Sequence, residues 1–463
     1  MQRPKRVVVL GAGISGLATA YWLEQAGHTV TVLERKSDVG GAMETIVEDG
    51  FLFDRGPNSG LETTPLIREL ARAAGLEEEM VYANPAAQKR YVYRAGELHA
   101  LPSGPVSLFR TRLFSWRGKL RVLLEPFVGR SEEGYYQSVA AFVRRRLGQE
   151  FLDYAINPFV SGVFAGDPEK LSVASAFPRL YRLEEVYGGL IKGMIKGAKE
   201  RKKQAEKSKQ SARMFSFMNG MQSFPKGIAA SLRGEIRTGV EKIEVGRQKN
   251  GAFSVRFVIG RNARRLTADA VISAVPAYAA ATLWAKTDAE LARHLREIYY
   301  PPLLVLYLGY REEDIGRPLD GFGFLIPAKE RKTYLGAIWS STIFPNRARP
   351  GNAAFTLFIG GALNPHVFEI EEEKLIGRIL KDFQEVMRIS GNPVFKASRF
   401  WERAIPQYNL GYIEHIRYFE QFEKKHPGIF LTGNYRGGIS VGDCVRSSKE
   451  VADRAAAFLN TQK

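Results

Sequence analysis

A chain of 463 residues is longer than one ordinary domain, so two or three domains sharing one body are expected. An apolar share of 45% excludes a disordered chain, and a single cysteine, Cys444, excludes a disulfide framework or a cysteine-rich metal site. The six histidines lack HxxxH or HxH spacing, so metal catalysis has no support, while a net charge of +18 biases the surface toward anionic partners.

The first predicted element is a strand over residues 7–10 that runs into Gly11-Ala12-Gly13-Ile14-Ser15-Gly16. A helix follows with Leu17, Ala20 and Leu23 on one face, then a second strand, Thr29–Leu33, closed by Glu34. This is the pattern of a βαβ dinucleotide cradle. Gly11 permits the tight turn, Gly13 lets backbone N–H groups approach a pyrophosphate, and Gly16 lets helix and strand pack closely. The positive helix end then faces the anion. Glu34 is placed to accept hydrogen bonds from ribose hydroxyls and would repel a 2′-phosphate, which disfavours NADP and leaves FAD and NAD open. Arg3, Lys5 and Arg6 before an apolar run, with Ala18-Thr19-Ala20 after it, imitate a secretory signal. Cleavage there would destroy the cradle, so a cytoplasmic protein retaining its own N-terminus is expected.

Further along, residues 61–80 read as helical and 88–98 as a hairpin. From about 105 to 215 the pattern is mostly helical, and Phe109, Phe114, Trp116 and Phe127 are interleaved with Arg110, Arg112, Arg117, Lys119 and Arg121. That mixture suits a membrane interface, and equally an ordinary helical subdomain with a solvated basic face. Between 192 and 209, Lys192, Lys196, Lys199, Arg201, Lys202, Lys203, Lys207 and Lys209 stand against Glu200 and Glu206, as a solvated loop or as a contact for acidic lipid. No segment offers the roughly 18 apolar residues that a spanning helix requires. A helix to Leu232, short strands over 240–257, a strand within 268–276, a strand-rich stretch over 300–410, a final strand within 428–433 and a last helix complete the chain. The nucleotide domain is therefore discontinuous.

Several stretches carry a resemblance. They are the Gly40-Gly41 pair, Gly56-Pro57-Asn58-Ser59, Lys89-Arg90-Tyr91, Asn157-Pro158-Phe159-Val160-Ser161-Gly162, Ala165-Gly166-Asp167-Pro168, Leu335-Gly336, Phe344-Pro345-Asn346-Arg347, Phe358-Ile359-Gly360-Gly361 and Gly433-Asn434-Tyr435-Arg436-Gly437-Gly438-Ile439-Ser440-Val441-Gly442-Asp443-Cys444. In this order the chain resembles the protoporphyrinogen oxidase family of two-domain flavin oxidases. The resemblance implies an α/β fold, with a Rossmann-like FAD-binding domain over 1–86, 216–285 and 411–463. It also implies a mixed-sheet substrate domain over 87–104 and 286–410, and an inserted helical, membrane-associating domain over 105–215. FAD would be noncovalent, because the setting of Cys444 is similar to that family and not to the amine oxidases that attach flavin through cysteine. Where some relatives carry a glycine pair, this chain has Ala165-Gly166, which puts a backbone contact there in question.

Carried over residue by residue, the resemblance implies that Gly11, Gly13 and Gly16 hold the pyrophosphate of FAD and Glu34 the adenosine ribose, with Ala12, Ser15, Arg35 and Gly41 also binding the cofactor. Val240 would meet adenine through its backbone. Gly56, Pro57, Asn58, Ser59, Trp401, Gly433, Ile439, Ser440 and Val441 would lie along the flavin. Arg90 would pair with a porphyrinogen propionate, Leu325, Leu335 and Phe358 would clamp the pyrroles, and Asn58 would stand near the reacting carbon. The implied activity is six-electron oxidation of protoporphyrinogen IX to protoporphyrin IX in haem biosynthesis, with O2 as acceptor and H2O2 as product. Coproporphyrinogen III oxidation is the alternative, then an amine oxidase or carotenoid desaturase of the same fold, then a silent porphyrin carrier. A peripheral position on the cytoplasmic membrane face is expected, with anionic lipid or a haem-pathway enzyme as partner. No nucleic-acid partner is expected, since neither zinc-finger spacing nor an aromatic RNA-binding signature is present.

Overall fold

The computed structural model describes residues 3–201 and 212–462. Five parallel strands form one sheet in the order Glu235–Arg237, Thr29–Leu33, Arg6–Leu10, Ala270–Ser273 and Ile429–Leu431. Its inner strands are apolar over Val7–Leu10 and Ala270–Ile272 because both faces are covered there. Val7 and Val9 meet the helices Ile14–Gln25 and Val441–Thr461, whereas Val8 and Leu10 meet the antiparallel strands Val240–Arg247, Phe253–Ile259 and Asn262–Ala268 and the helices beyond them. The helix Ile14–Gln25, expected to bury a single face, is buried almost all round, because Val441–Thr461 lies against its outer side. Ser448 Oγ donates to the Ser15 carbonyl at 3.0 Å across that contact.

A second, seven-stranded sheet runs Phe395–Trp401, Leu303–Arg311, Asn352–Gly360, Gly336–Ile338, Gly321–Leu325, Lys89–Arg94 and Glu97–Ala100. Leu304, Leu306, Leu308, Phe324, Phe355 and Leu357 cover one face together with the helix Glu372–Met387. That helix is absent from the strand-rich reading of 300–410. The other face carries Leu303, Val305 and Tyr307 onto Phe51 and Phe53 of the hairpin Thr45–Glu48/Phe51–Asp54. Tyr307 OH donates to the Asp54 carbonyl at 2.8 Å, tying the two sheets together. The helix expected over 61–80 is confined to Leu66–Ala73, since Gly75 turns left-handed at φ +69°. The flanking strands Gly60–Leu61 and Met80–Tyr82 both pair with Met214–Phe217.

The segment between Pro105–Arg110 and Leu190–Arg201 is helical. At its centre the guanidinium of Arg146, fully buried, pairs with Glu125 at 2.6 Å and with Glu184. Glu125 also accepts from the N–H groups of Leu190 at 2.6 Å and Ile191 at 3.0 Å, capping the last helix of the segment. Burial pushes the Glu184 carboxyl up, but hydrogen bonds from Arg146, Ser131 and Arg145 outweigh it and hold the group below its usual range.

The aromatic and basic side chains that alternate in sequence over 109–127 do not form one surface. Trp116 and Phe127 are exposed, but Phe114 is buried, where it stacks on Phe151. Lys119 is buried as well, its ammonium donating to the carbonyls of Phe109 at 2.9 Å and Thr111 at 2.7 Å. A short helix, Trp116–Leu123, turns its residues both ways, which alternation along the sequence cannot convey. Of the basic run, the side chains of Lys199, Arg201, Lys202, Lys203, Lys207 and Lys209 lie outside the described residues.

Candidate active site

The glycines of the opening turn are held by two separate constraints. A Cβ on Gly16 would stand 1.9 Å from the Gly11 carbonyl oxygen, and Gly11 itself has φ +101° with Ala274 O at 3.1 Å from its would-be Cβ. Both are demanded by the packing of helix on strand. Gly13 is different. Its backbone is extended, at φ −76° and ψ 176°, and a Cβ there would meet nothing nearer than Gly41 Cα at 3.8 Å. The protein itself leaves that space empty. Gly13 is also the N-cap of Ile14–Gln25, which has no side-chain cap and no acidic residue in its first turn, so its positive end is available to an anion.

The Gly40-Gly41 turn docks on this loop: Gly40 N–H donates to the Ala12 carbonyl at 2.9 Å, and Gly41 has φ +64°. Glu34 is buried, with one carboxylate oxygen accepting from Ala12 N at 2.7 Å and the other from Lys36 N at 2.8 Å. Each oxygen keeps further lone-pair capacity for a ribose hydroxyl. The Glu34 carbonyl accepts from Val240 N at 2.9 Å, which brings Val240 to the same edge of the sheet, while Arg35 is exposed beside it. Ser15 is buried in the first helical turn. This arrangement suits the adenine, ribose and pyrophosphate of a dinucleotide.

The second half of the site lies beside the face of the seven-stranded sheet that packs on the hairpin Thr45–Glu48/Phe51–Asp54. Leu325, Gly336 and Phe358 stand opposite one another across three adjacent strands, with Leu335 N donating to the Phe358 carbonyl at 2.7 Å. Gly336 is fixed by close packing, since a Cβ there would stand 2.5 Å from the Phe324 carbonyl oxygen. Arg90 occurs one strand further, opposite Gly323, with its guanidinium over the Phe322 ring at 5.6 Å. Among the described residues no carboxylate pairs with it, whereas its neighbour Lys89 is paired with Asp320 at 2.5 Å. Desolvation pulls the Arg90 guanidinium below its ordinary value. Asn58 Nδ2 reaches Thr356 Oγ1 at 3.5 Å, two residues before Phe358, and Ser59 lines the same small cavity. Trp401 donates through Nε1 to the Arg55 carbonyl at 2.9 Å and carries the Arg399 guanidinium 4.8 Å from its ring. Gly56 has a backbone reason for its identity, since a Cβ would stand 1.9 Å from the Ala42 carbonyl oxygen, and Pro57 follows it half-buried.

The closing cluster forms a loop over 433–440 that leads into Val441–Thr461. Gly433, Gly437 and Gly438 have φ +138°, +91° and +128°. Ser440 caps the helix, accepting from Asp443 N at 3.2 Å, with Ile439 half-buried just before it and Val441 buried as the first helical residue. Cys444 is buried with its thiol 3.9 Å from the Gly438 carbonyl. Sequence reasoning missed the pillars beneath this loop. Tyr408 OH donates to the Asn434 carbonyl at 2.7 Å and accepts from Gly438 N at 3.0 Å, and Tyr412 OH bonds the Tyr435 carbonyl. Burial raises both phenols well above their usual range, so they remain protonated donors. No local signal separates such tyrosines from ordinary core residues. Ala165 takes a left-handed position, φ +51°, and its carbonyl accepts from Ala362 N at 2.8 Å.

Comparison with known proteins identifies the family. The family model described as flavin containing amine oxidoreductase matches residues 14–456. Protoporphyrinogen oxidase 2 of Arabidopsis thaliana is 34% identical over 99% of this chain and 95% of its own length. Coproporphyrinogen III oxidase of Bacillus subtilis is 28% identical over 98% of each. A solved structure from Exiguobacterium sp. 255-15 superposes with a TM-score of 0.80 at 24% identity, covering 99% of this chain and all of that one. The chain belongs to the flavin containing amine oxidoreductase family. Within it, the full-length relatives include protoporphyrinogen oxidases and a coproporphyrinogen III oxidase, and the chain is an FAD-dependent oxidoreductase of that group.

Proposed function

We propose that this protein oxidises a porphyrinogen to the corresponding porphyrin, with protoporphyrinogen IX as substrate. The observation that carries the reading is Arg90, an exposed guanidinium without a carboxylate partner among the described residues, at the rim of the apolar face formed by Leu325, Leu335 and Phe358. A planar guanidinium suits a propionate, and the apolar side chains suit a reduced tetrapyrrole. Glu34, Gly13 and Val240 hold the adenosine end of FAD, and residues 56–59, Trp401 and 439–441 line its other end. Bound FAD supplies the two-electron acceptor that O2 regenerates with release of H2O2. The protein's own share is positioning: Asn58 stands beside Thr356 at the reacting carbon, and the sheet holds the macrocycle while water is kept away. Removing six hydrogens from the porphyrinogen consumes three O2 and yields three H2O2.

Coproporphyrinogen III is the second reading, supported by the relative from B. subtilis. Oxidation of the two porphyrinogens side by side, with peroxide measured, tests both. A peroxide-to-porphyrin ratio of three is expected with the preferred substrate. A flavin-loaded protein that oxidises neither would overturn the proposal.

The helical segment is proposed to rest on the cytoplasmic face of an anionic membrane. Of nineteen large apolar side chains left exposed among the described residues, fourteen lie between Val106 and Ile195, including Trp116, Leu120, Leu124 and Phe127. Among those residues no helix is long and apolar enough to cross a bilayer, so the contact would be peripheral. Neighbouring cations such as Arg112 and Arg117 would add about 1 kcal/mol each at an acidic surface. Co-sedimentation with vesicles containing phosphatidylglycerol tests it. Replacing Trp116 and Phe127 by serine should release the protein, and unchanged binding would count against it.

A further inference from the structure

Two histidines that are 121 positions apart in sequence meet in the fold. His294 is in the last turn of the helix Ala289–Glu297, and His415 is in the first turn of Tyr412–Lys425. Their Nδ1 atoms are 2.9 Å apart, with the rings nearly perpendicular at 79°. Glu297, one turn beyond His294, brings a carboxylate oxygen within 4.8 Å of a ring nitrogen of each histidine. His294 is buried, His415 half-buried and Glu297 exposed, so the cluster is walled on the protein side and open to solvent on the other.

We propose that His294, His415 and Glu297 bind a single divalent transition-metal cation of the zinc class, as a structural clamp separate from the flavin site. Two neutral imidazoles that face each other through Nδ1 can share only one proton between two lone pairs. A cation in place of that proton accepts both lone pairs, and a carboxylate completes the two-nitrogen, one-oxygen set that zinc takes with water in the fourth position. Zinc–nitrogen bonds of about 2.0–2.1 Å put two such nitrogens about 3.3 Å apart in a tetrahedral site, so the rings need to separate by only a few tenths of an ångström.

The surroundings are consistent with this role. Glu290 lies 3.5 Å from His294 Nε2, where an outer carboxylate can accept that N–H once Nδ1 is ligated. Tyr418 stacks on His294 at 4.6 Å and fixes the ring. Arg293 opposes the cation, since it contacts His294 Nε2 at 3.2 Å and Glu297 at 2.5 Å, so binding has to release this guanidinium from both and leave it on Glu290, with which it is already paired at 2.6 Å. A clamp here would join Ala289–Glu297 to the helix whose first residue, Tyr412, supports the 433–440 loop.

Titration calorimetry of the chelator-treated, flavin-loaded full chain with ZnCl2 tests the site. One ion per chain is expected, together with a zinc-dependent rise in melting temperature. His415→Gln should weaken binding by at least about 100-fold and abolish the rise, and Glu297→Gln should weaken it about 10- to 100-fold. Flavin content and melting in chelator check that each variant is folded. Because Glu297 is exposed, its variant keeps the test usable if His415→Gln does not fold. Absence of stoichiometric zinc binding, or binding equally strong in folded variants, would overturn the proposal.

Discussion

Gly13 and Gly16 differ in what each glycine serves, and substitution by alanine separates the two. In Gly16→Ala the new methyl would stand 1.9 Å from the Gly11 carbonyl oxygen, so helix and strand must separate by about 1 Å or more. Overpacking of this kind costs about 1–3 kcal/mol, and the loss should appear in the unfolding of the flavin-free protein. Gly13→Ala finds an extended backbone and a nearest neighbour at 3.8 Å, so stability of the flavin-free protein should change by less than about 0.5 kcal/mol. Its methyl instead occupies the approach of the pyrophosphate. The same 1–3 kcal/mol then falls on the complex, which corresponds to an FAD affinity lower by about 5- to 150-fold. Urea unfolding of extracted apoprotein, paired with FAD titration by flavin fluorescence, reads both quantities. A Gly13→Ala protein that binds FAD with wild-type affinity would refute the assignment of this loop to the pyrophosphate.

Arg90→Ala should raise KM for the porphyrinogen while flavin content stays normal. Charge-assisted hydrogen bonds contribute about 1.5–3 kcal/mol, or about 10- to 150-fold in kcat/KM, and steady-state kinetics on both porphyrinogens measure it. Glu125→Ala leaves Arg146 with one partner fewer and uncaps Leu190 and Ile191, at a cost of about 3–5 kcal/mol. Hydrogen exchange should rise across the helical segment while flavin absorbance persists, and unchanged protection there would contradict the network's role. His28, His294, His415 and His426 are all drawn below their ordinary value by burial. The unfolded chain therefore takes up protons first as the pH falls. Their stabilising contribution is complete above about pH 6.5 and is lost below it, toward their folded-state values. Urea midpoints should be lower at pH 5.5 than at pH 7.5, and equal midpoints would argue against buried neutral histidines.

The nucleotide half was legible because its constraints are local. Strand, glycine turn, helix and Glu34 follow one another within 34 residues, and each glycine's reason is a neighbour in the same motif or in the strand it packs on. The register across the substrate sheet was not legible. Leu325, Gly336 and Phe358 face one another through pairings between separate strands, and only the family resemblance marked two of them. The helix Glu372–Met387 escaped because its apolar residues, Leu375, Ile379 and Phe383, sit in a charged stretch between strands. Phe114 and Lys119 show the opposite failure: their types suggested a surface, but the fold closes over them. Residues that meet only through tertiary packing, such as Arg146 with Glu125, or His294 with His415, leave no pattern along the chain.

The strand Arg6–Leu10 lies at the middle of its sheet, paired with Thr29–Leu33 on one side and with Ala270–Ser273 on the other. At about 5–20 residues per second, the ribosome takes many seconds to deliver that second partner, and longer still to release the helix Val441–Thr461. During that interval an apolar strand edge stays unpaired, which is the kind of edge that recruits other chains. Assembly of the dinucleotide cradle therefore waits for residues far along the chain, and truncation before Val441–Thr461 should yield aggregation-prone, flavin-free product.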